Sequence, residues 1–395
     1  MWGEQLGCAS SYTVTLHYQG GQRVYSYPEA VESVEWSRIR RGVSKATVVL
    51  SKQSLSSECA ALMVDVWPLT HEVTVYRDER AVWQGPIIRR PMVRGQAGQT
   101  SITLEAQDVG AWLERRLPHR GVKLSDVGLD EAAREVMRSC FEHQDPNLLR
   151  HVSSASFEDQ EPVSRTIHAY GQWGIDELDD LAEQGMDWTF VGRALYLSPP
   201  ATVDTQAQAQ LTSHDLMGDV ELEIDGQEYA SLVYAAPQAT DGVWEHLEGV
   251  GGVSPYFGLV EQVVQTGLSW HVDDEGNWDP PQSPDGEDPL SREETEKALV
   301  RAAQERREQV LRPLILVRAS EGSRLSPDSP ISMDRLVPGV RIDLALDEQD
   351  FLFSVVRPMR LTRVDVTWDG SNEQVGVALS QIGTPEDDDA EEIHT

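Results

Sequence analysis

The chain has 395 residues, 39% of them hydrophobic, and 66 Asp and Glu against 33 Lys and Arg give a formal net charge of −33. That length exceeds one ordinary core and points to roughly two to four domains, while the longest apolar runs, such as "TVVL" and "LILV", fall far short of the roughly 20 residues of a membrane-spanning helix. The charge excludes a nucleic-acid binder or a protein of anionic membranes, because phosphate binding rests on clustered Lys and Arg.

The charge is uneven: residues 1–120 hold 14 Lys and Arg against 12 Asp and Glu, a net of +2, leaving 19 bases against 54 acids, or −35, in the remainder. In the N-terminal "MWGEQLGCAS", Leu6-Gly7-Cys8 has the outline of a lipoprotein cleavage site. No basic and then hydrophobic stretch precedes it, so no membrane anchor is expected. Cys8, Cys59 and Cys140 are too scattered for a disulfide framework or a zinc site. From Tyr12 to Gln107 the pattern has period two: "YTVTLHY", a Gly20-Gly21 turn, "RVYSY", "VESVEWSR", "KATVVLS", the hairpin "EVTVYRDERAVWQGPIIRRP" and "TSITLEAQ". Short strands at this spacing predict a sandwich or barrel. "QDVGAWLERRL" then places Val109, Trp112, Leu113 and Leu117 on one helical face, and Pro118 ends a first β domain, 1–118.

Residues 119–200 read as a small α+β domain. A helix from Asp130 aligns Leu129, Ala132, Ala133, Val136, Met137, Cys140 and Phe141. "DELDDLAEQG" is a second helix, with Asp176 as its expected cap and Gly185 as its stop, followed by the hairpin "MDWTFVGRALYLSP" turning at Val191-Gly192-Arg193. The β pattern returns in "DVELEID" and "QEYASLVYAA". After Pro313 it resumes in "LILVRAS", "VRIDLAL", "DFLFSVVRP", "MRLTRVDVTW" and "EQVGVALSQ", so that 201–237 and 310–384 read as a second barrel with a last turn at Asp369-Gly370. Residues 238–309 are an insertion with a glycine-rich stretch, an acidic loop and a helix starting at the capping box Ser291-Arg292-Glu293-Glu294. Residues 385–395, with six acids between Glu386 and Glu392, read as a disordered tail. Arg90-Pro91-Met92 and Arg357-Pro358-Met359 recur in similar strand contexts, as in a distant duplication of the two β regions.

The chain carries no Gly-x-Ser-x-Gly and no His-Glu-x-x-His, and His168, His214 and His271 stand isolated, as surface or core histidines do. The acidic loop 273–288 has seven acids and no base, but lacks the alternate-residue ligands and fixed glycine of an EF-hand; it reads as a solvated loop, with calcium left open. "GVGGVSPYFG" (249–258) lacks the lysine of a phosphate loop, and reads as a reversal where Gly251, Gly252 and Gly258 take angles that other residues resist. No catalytic, metal-ligating or cofactor-binding residue is assigned, no cofactor is expected, and the chain is not expected to be an enzyme. A carboxylate pair unrecognisable in sequence is the enzymatic rival.

In order, "VEWSRIRRGVSKATVVLS", "VTVYRDERAVWQGPI", "MDWTFVGRALYLSP", "GVGGVSPYFGLVE" and "RLSPDSPISMDRLVPGVRIDLAL" resemble the tail hub or minor tail proteins of long-tailed, siphovirus-type phages of actinobacteria. Baseplate hubs and the N-terminal hub domain of tail-associated lysins are similar. The resemblance implies an α+β, mainly β fold: two tube-type β-barrels with two smaller inserted or decorating α+β domains. It further implies a homotrimer whose six barrels match the hexameric tail tube above. The implied partners are distal tail and tail tube proteins, the tape measure protein and other tip or fibre proteins, and the implied place is the virion tail tip, assembled in the host cytoplasm. The motif residues are then Trp83, packing inward, Gly85 and Pro86, bending or terminating an edge strand, and Gly251, Gly252, Pro255, Gly258, Pro338 and Gly339. Many relatives continue into a wall-degrading or fibre module, whereas this sequence passes into its acidic tail.

The expected function is a structural hub joining tube to tip around the DNA exit channel, through which DNA passes without specific binding. Arg38, Arg40, Arg41, Arg89 and Arg90 are expected to face protein partners or to pair internally, and acids of the later domains either to line the channel or to spread over the outer surface as solubilising charge. The alternative is a carbohydrate- or receptor-binding tail-tip protein using some of the 11 Trp and 10 Tyr as stacking platforms.

Overall fold

The computed structural model describes residues 6, 11–18, 23–26, 30–96, 98–141, 150–153, 162–238, 244, 246–270, 272, 277–278, 290–320 and 322–384. Cys8, the Gly20-Gly21 turn, His271, the tail 385–395 and nearly all of the acidic loop 273–288 lie outside them. The fold is mainly β, with several sheets and few helices. It divides into two compact units, Met1–Glu221 with Arg318–Thr395, and Leu222–Val317.

In the hairpin of residues 72–91, His71–Arg77 and Arg80–Arg89 are joined by Asp78 and Glu79, both at positive φ (43° and 71°). Two left-handed residues make the tight turn whose twist matches that of paired strands. The ladder runs from Arg77↔Arg80 to Glu72↔Pro86. The expected bend or end of an edge strand at Gly85-Pro86 takes a different form. The strand continues to Arg89 and changes partner there, pairing Ile87 with Ala106 and Arg89 with Glu105 of Thr100–Gln107. A Cβ on Gly85 would lie 1.8 Å from the carbonyl oxygen of Gln107, so only glycine lets the two ladders meet at this corner.

Two tube-type β-barrels are the expectation; the strands of the two β regions hydrogen-bond into one 14-stranded sheet. Its path runs Arg23–Ser26, Tyr12–Tyr18, His71–Arg77, Arg80–Arg89, Thr100–Gln107, Lys45–Ser51 and Val31–Ile39, then crosses to Val355–Trp368, Glu373–Gln381, Arg324–Leu325 and Leu216–Met217. The crossing is an antiparallel ladder from Val34↔Trp368 to Ile39↔Arg363. Alternation directs Val34, Trp36, Val48, Leu50, Val364 and Val366 inward, where all are buried. Val355–Trp368 also pairs through its first half with Arg341–Leu346, which runs parallel to Ala209–Thr212. Pro358 lies within that long strand, whereas Pro91 interrupts one between Arg80–Arg89 and Met92–Arg94, so the two Arg-Pro-Met segments occupy different strand contexts.

The segment 119–200 forms a sheet of Arg150–Ser153, Ala194–Ser198 and Asp187–Val191 with two helices, Leu129–Cys140 and Gly174–Glu183. The first helix buries the face that its spacing predicts, Cys140 included. Asp176 lies inside the first turn of the second helix, while Trp173 takes the cap position. There the acid faces the positive end of the helix dipole. "QDVGAWLERRL" forms a 3-10 helix, Val109–Arg115, whose Val109, Trp112 and Leu113 join the core of these two helices. Its cap, Asp108, is buried and accepts hydrogen bonds from Ser44 N (2.6 Å), Ser44 Oγ (2.6 Å) and Gly110 N (2.8 Å). Burial pushes this carboxyl up to about 7 against the pull of those bonds.

In the second unit, Leu232–Ala236 lies between Glu248–Gly251, antiparallel, and Glu261–Gln265, parallel. The helix Arg292–Val310, opened by the expected Ser291/Glu294 capping box, packs Leu299, Ala303 and Val310 against Val233, Ala235 and Trp270. Leu232–Ala236, expected in a second barrel, therefore belongs to this core, because its Val233 and Ala235 find their apolar partners on the helix. Among the described residues Val220–Asp225 and Leu314–Ala319 pair only with each other.

Two outcomes follow. Gly85→Ala should lower unfolding stability by at least about 1–3 kcal/mol, as overpacking does, measured by denaturant titration. For Asp108 the folded pKa lies above the unfolded one, so its contribution is fully present in acid and is lost as pH rises from about 4 through about 7. Stability measured across that window should decline less steeply in Asp108→Asn than in the unsubstituted chain, by up to about 1.4 kcal/mol per pH unit.

Candidate functional site: the joint between the two β regions

Three side chains from distant parts of the sequence close the joint. Tyr12 and Arg77 are cross-strand neighbours. Glu373 opens the last strand after the Asp369-Gly370 turn. Tyr12 Oη donates to Glu373 Oε1 (2.6 Å), and Arg77 donates from Nε to Oε1 (2.6 Å) and from a terminal nitrogen to Oε2 (2.7 Å). The Glu373 side chain is 0% exposed and that of Arg77 4%. Burial, and then the Glu373 carboxylate beside it, push the Tyr12 hydroxyl well above its ordinary range. Burial opposes the Arg77 charge, but the bond to Glu373 and the charge of Glu373 hold its pKa up. The Tyr12 ring packs 5.3 Å from that of Trp368.

Arg38 makes a second tie. It is buried and donates to the carbonyls of Met333 (3.2 Å), Leu336 (2.9 Å) and Val82 (3.0 Å), joining both β regions through one guanidinium. Burial lowers its pKa to about 10. Arg40 and Arg41 converge on Asp187 Oδ1 at 2.8 Å each, and Arg41 N donates to Trp188 O (2.8 Å), which docks the strand Asp187–Val191 on the end of Val31–Ile39. Glu72, also 0% exposed, accepts from Arg193, Gln84 Nε2 (3.2 Å) and Trp112 Nε1 (3.3 Å). Of the five bases expected to face partners or to pair internally, Arg38, Arg40 and Arg41 take the internal course, because each meets acceptors that the fold buries with it. Arg89 is exposed and pairs with Glu105 at 3.4 Å, and half-buried Arg90 donates to Met63 O.

The other motif residues lie apart from the joint or support it. Trp83 is buried as expected, and its Nε1 donates to Ser44 Oγ (3.1 Å). Gly339, after Pro338, has φ +98° and donates its N–H to Leu361 O (2.7 Å). Gly251, Gly252, Pro255 and Gly258 are in the second unit. There Gly251 (φ +122°) and Gly258 (φ +74°) take left-handed conformations; Gly252 does not, its N–H donating to Ser231 O (3.1 Å), and the reversal closes at the Ser254–Gly258 bridge. Beside the joint, a cleft of about 650 Å³ is lined by Trp36, Arg41, Lys45, Asp179, Trp188 and Arg363 among others. Burial pushes Asp179 there up to about 6, and Arg363 pairs with Asp365 at 2.8 Å.

Tyr12, Arg77, Glu373, Glu72 and Asp187 were not singled out by sequence. A signal exists for Arg77: it shares the inward register of His71, Val73 and Val75 in "HEVTVYR", where an ionisable group needs a buried partner. The identity of that partner, 296 residues away, follows only from the fold.

No family model and no curated protein matches the sequence. Among solved structures, this chain is similar to tail proteins. A tail protein from Neisseria meningitidis MC58 is 12% identical, with 94% of this chain and 97% of that one covered and a TM-score of 0.48. The 43 kDa tail protein of prophage MuSo2 from Shewanella oneidensis is also 12% identical, over 93% and 98%, with a TM-score of 0.49. The E. coli c3393 protein, described as a component of the type VI secretion system, matches at 12% identity over 94% and 77%, with a TM-score of 0.43. At these identities and scores, function has to be argued from the chain itself.

Removing one member of the buried pair should be costly. Glu373→Gln leaves Arg77 without its counter-charge and should cost about 3–5 kcal/mol, whereas replacing both residues by apolar ones of similar volume should recover most of that loss. Chemical denaturation of the single and double variants measures both.

Proposed function

We propose that this chain is a structural subunit of a phage tail tip, a hub in which three copies form a ring around the path of the DNA. The observation that carries the reading is the edge-to-edge ladder that makes two β regions one sheet within one chain. A subunit with two tube-like halves converts three-fold into quasi six-fold symmetry, so three copies would present six halves to a six-fold tube. Arg38, Arg40 and Arg41 fit such a channel, since guanidiniums bound to internal acceptors offer phosphates no foothold. Exposed apolar side chains of the first unit, including Val64, Trp67, Met92 and Val93, supply material for contacts between subunits.

The tryptophans speak against the carbohydrate-binding alternative. Of the ten tryptophans among the described residues, six, Trp36, Trp83, Trp112, Trp188, Trp270 and Trp368, are buried, which removes them as stacking platforms. On the proposed reading the chain is not an enzyme.

An averaged electron-microscopy map of assembled tails should place three copies at the tip ring; one copy or six would overturn the reading. The purified chain should neither cleave peptidoglycan nor hydrolyse nucleotides. Turnover that vanishes on changing a single carboxylate would contradict this.

A further inference from the structure

His214 is isolated in the sequence, but the fold gives it company. Ala209–Thr212 runs parallel to Arg341–Leu346 with Thr212 opposite Ala345, so the turns that follow the two strands leave the sheet at the same level. His214 lies two residues beyond Thr212, and Asp347 two beyond Ala345. Asp350 follows in the same turn as Asp347. One donor atom from each of His214, Asp347 and Asp350 lies within 4.8 Å of the others, and His214 Nε2 stands 3.5 Å from Asp350 Oδ2. Metal–ligand bonds of about 2.0–2.2 Å place neighbouring donors on one ion about 3–3.5 Å apart, so little movement separates this arrangement from coordination.

Both turns are already built. Asp215 accepts from Thr212 N (2.7 Å) and Thr212 Oγ1 (2.8 Å), fixing the turn that carries His214. Asp347 Oδ1 accepts from Gln349 N (2.8 Å) and Asp350 N (3.1 Å), leaving Oδ2 as a further donor. Ser213 Oγ donates to Asp350 Oδ2 (2.6 Å), orienting that carboxylate toward the histidine turn.

We propose that His214, Asp347 and Asp350 form a binding site for a divalent transition-metal ion of the zinc type, which clips together the two turns. One imidazole with two carboxylates, open to solvent for remaining water ligands, suits zinc and its neighbours. Calcium asks for six to eight oxygens, and magnesium prefers water and carboxylate to imidazole, so neither matches the donor set. The ion would bridge positions 133 residues apart, a connection that the unfolded chain lacks. Binding is thereby linked to folding.

The test is calorimetric titration of the chelator-stripped full chain with zinc chloride, with magnesium chloride alongside, coupled to hydrogen exchange. One zinc site is expected, with protection rising at residues 213–215 and 347–350. Affinity should fall by at least the roughly 10–100-fold that even outer-shell changes cost in His214→Ala and Asp350→Asn, and should hold in His168→Ala, an exposed histidine outside the cluster. The three ligands are at the surface or half-buried, and melting curves recorded in chelator establish that each variant is folded. Absence of zinc binding, equal affinity in folded His214→Ala and Asp350→Asn, or protection appearing elsewhere in the unsubstituted chain would overturn the proposal.

Discussion

A carboxylate with no access to water is tolerable only while its counter-charge and hydrogen-bond donors are in place, and Glu373 imposes that condition on the whole first unit. Its partners, Tyr12 and Arg77, come from the start of the chain, and Glu373 itself from its last strand. Neither β region can adopt its observed surface alone without burying an unpaired charge or exposing one face of the joint. The ladder between Val31–Ile39 and Val355–Trp368 supplies the backbone bonds of this union, and the triad supplies its register. A slip of one residue would carry Glu373 to the opposite face, away from Arg77.

The remaining buried charges repeat the device at smaller scale. Arg38 takes three carbonyls from two regions, Asp187 takes two guanidiniums from the end of Val31–Ile39, and Glu72 holds Arg193 beside Trp112. Each polar contact joins elements that hydrophobic packing alone would leave free to slide, since apolar burial has no direction while hydrogen bonds do. The first unit is thus assembled from local β meanders and helices joined by a few specific, largely buried hydrogen bonds and ion pairs. A subunit whose two β regions are joined in one sheet is what the proposed ring requires.

Much of this was legible in the amino-acid order. The period-two runs gave the strands, Val191-Gly192-Arg193 and Asp369-Gly370 turns, Ser291-Glu294 the helix start, and the spacing from Leu129 to Cys140 a buried helical face, because each depends on residues within a few positions of one another. What failed depends on distant partners. Gly85-Pro86 resembles a strand end until the carbonyl of Gln107 is known to lie where a side chain would go. Leu232–Ala236 alternates like a barrel strand, and only the helix Arg292–Val310 decides which core it enters. For Arg38, Arg40 and Arg41 in "SRIRRG" the sequence leaves partner-facing and internal pairing both open, and nothing local reveals the carbonyls and the carboxylate that claim them. The pairing of His214 with Asp350 is hidden for the same reason: it follows from the parallel register of two strands far apart in sequence.

Native-state hydrogen exchange across a denaturant series tests most directly whether the two β regions are one body. The strands Val31–Ile39, Lys45–Ser51, Val355–Trp368 and Glu373–Gln381 should open together, with a common free energy and a common denaturant dependence. Two separate openings, with Val355–Trp368 and Glu373–Gln381 released while Val31–Ile39 and Lys45–Ser51 stay protected, would contradict the account.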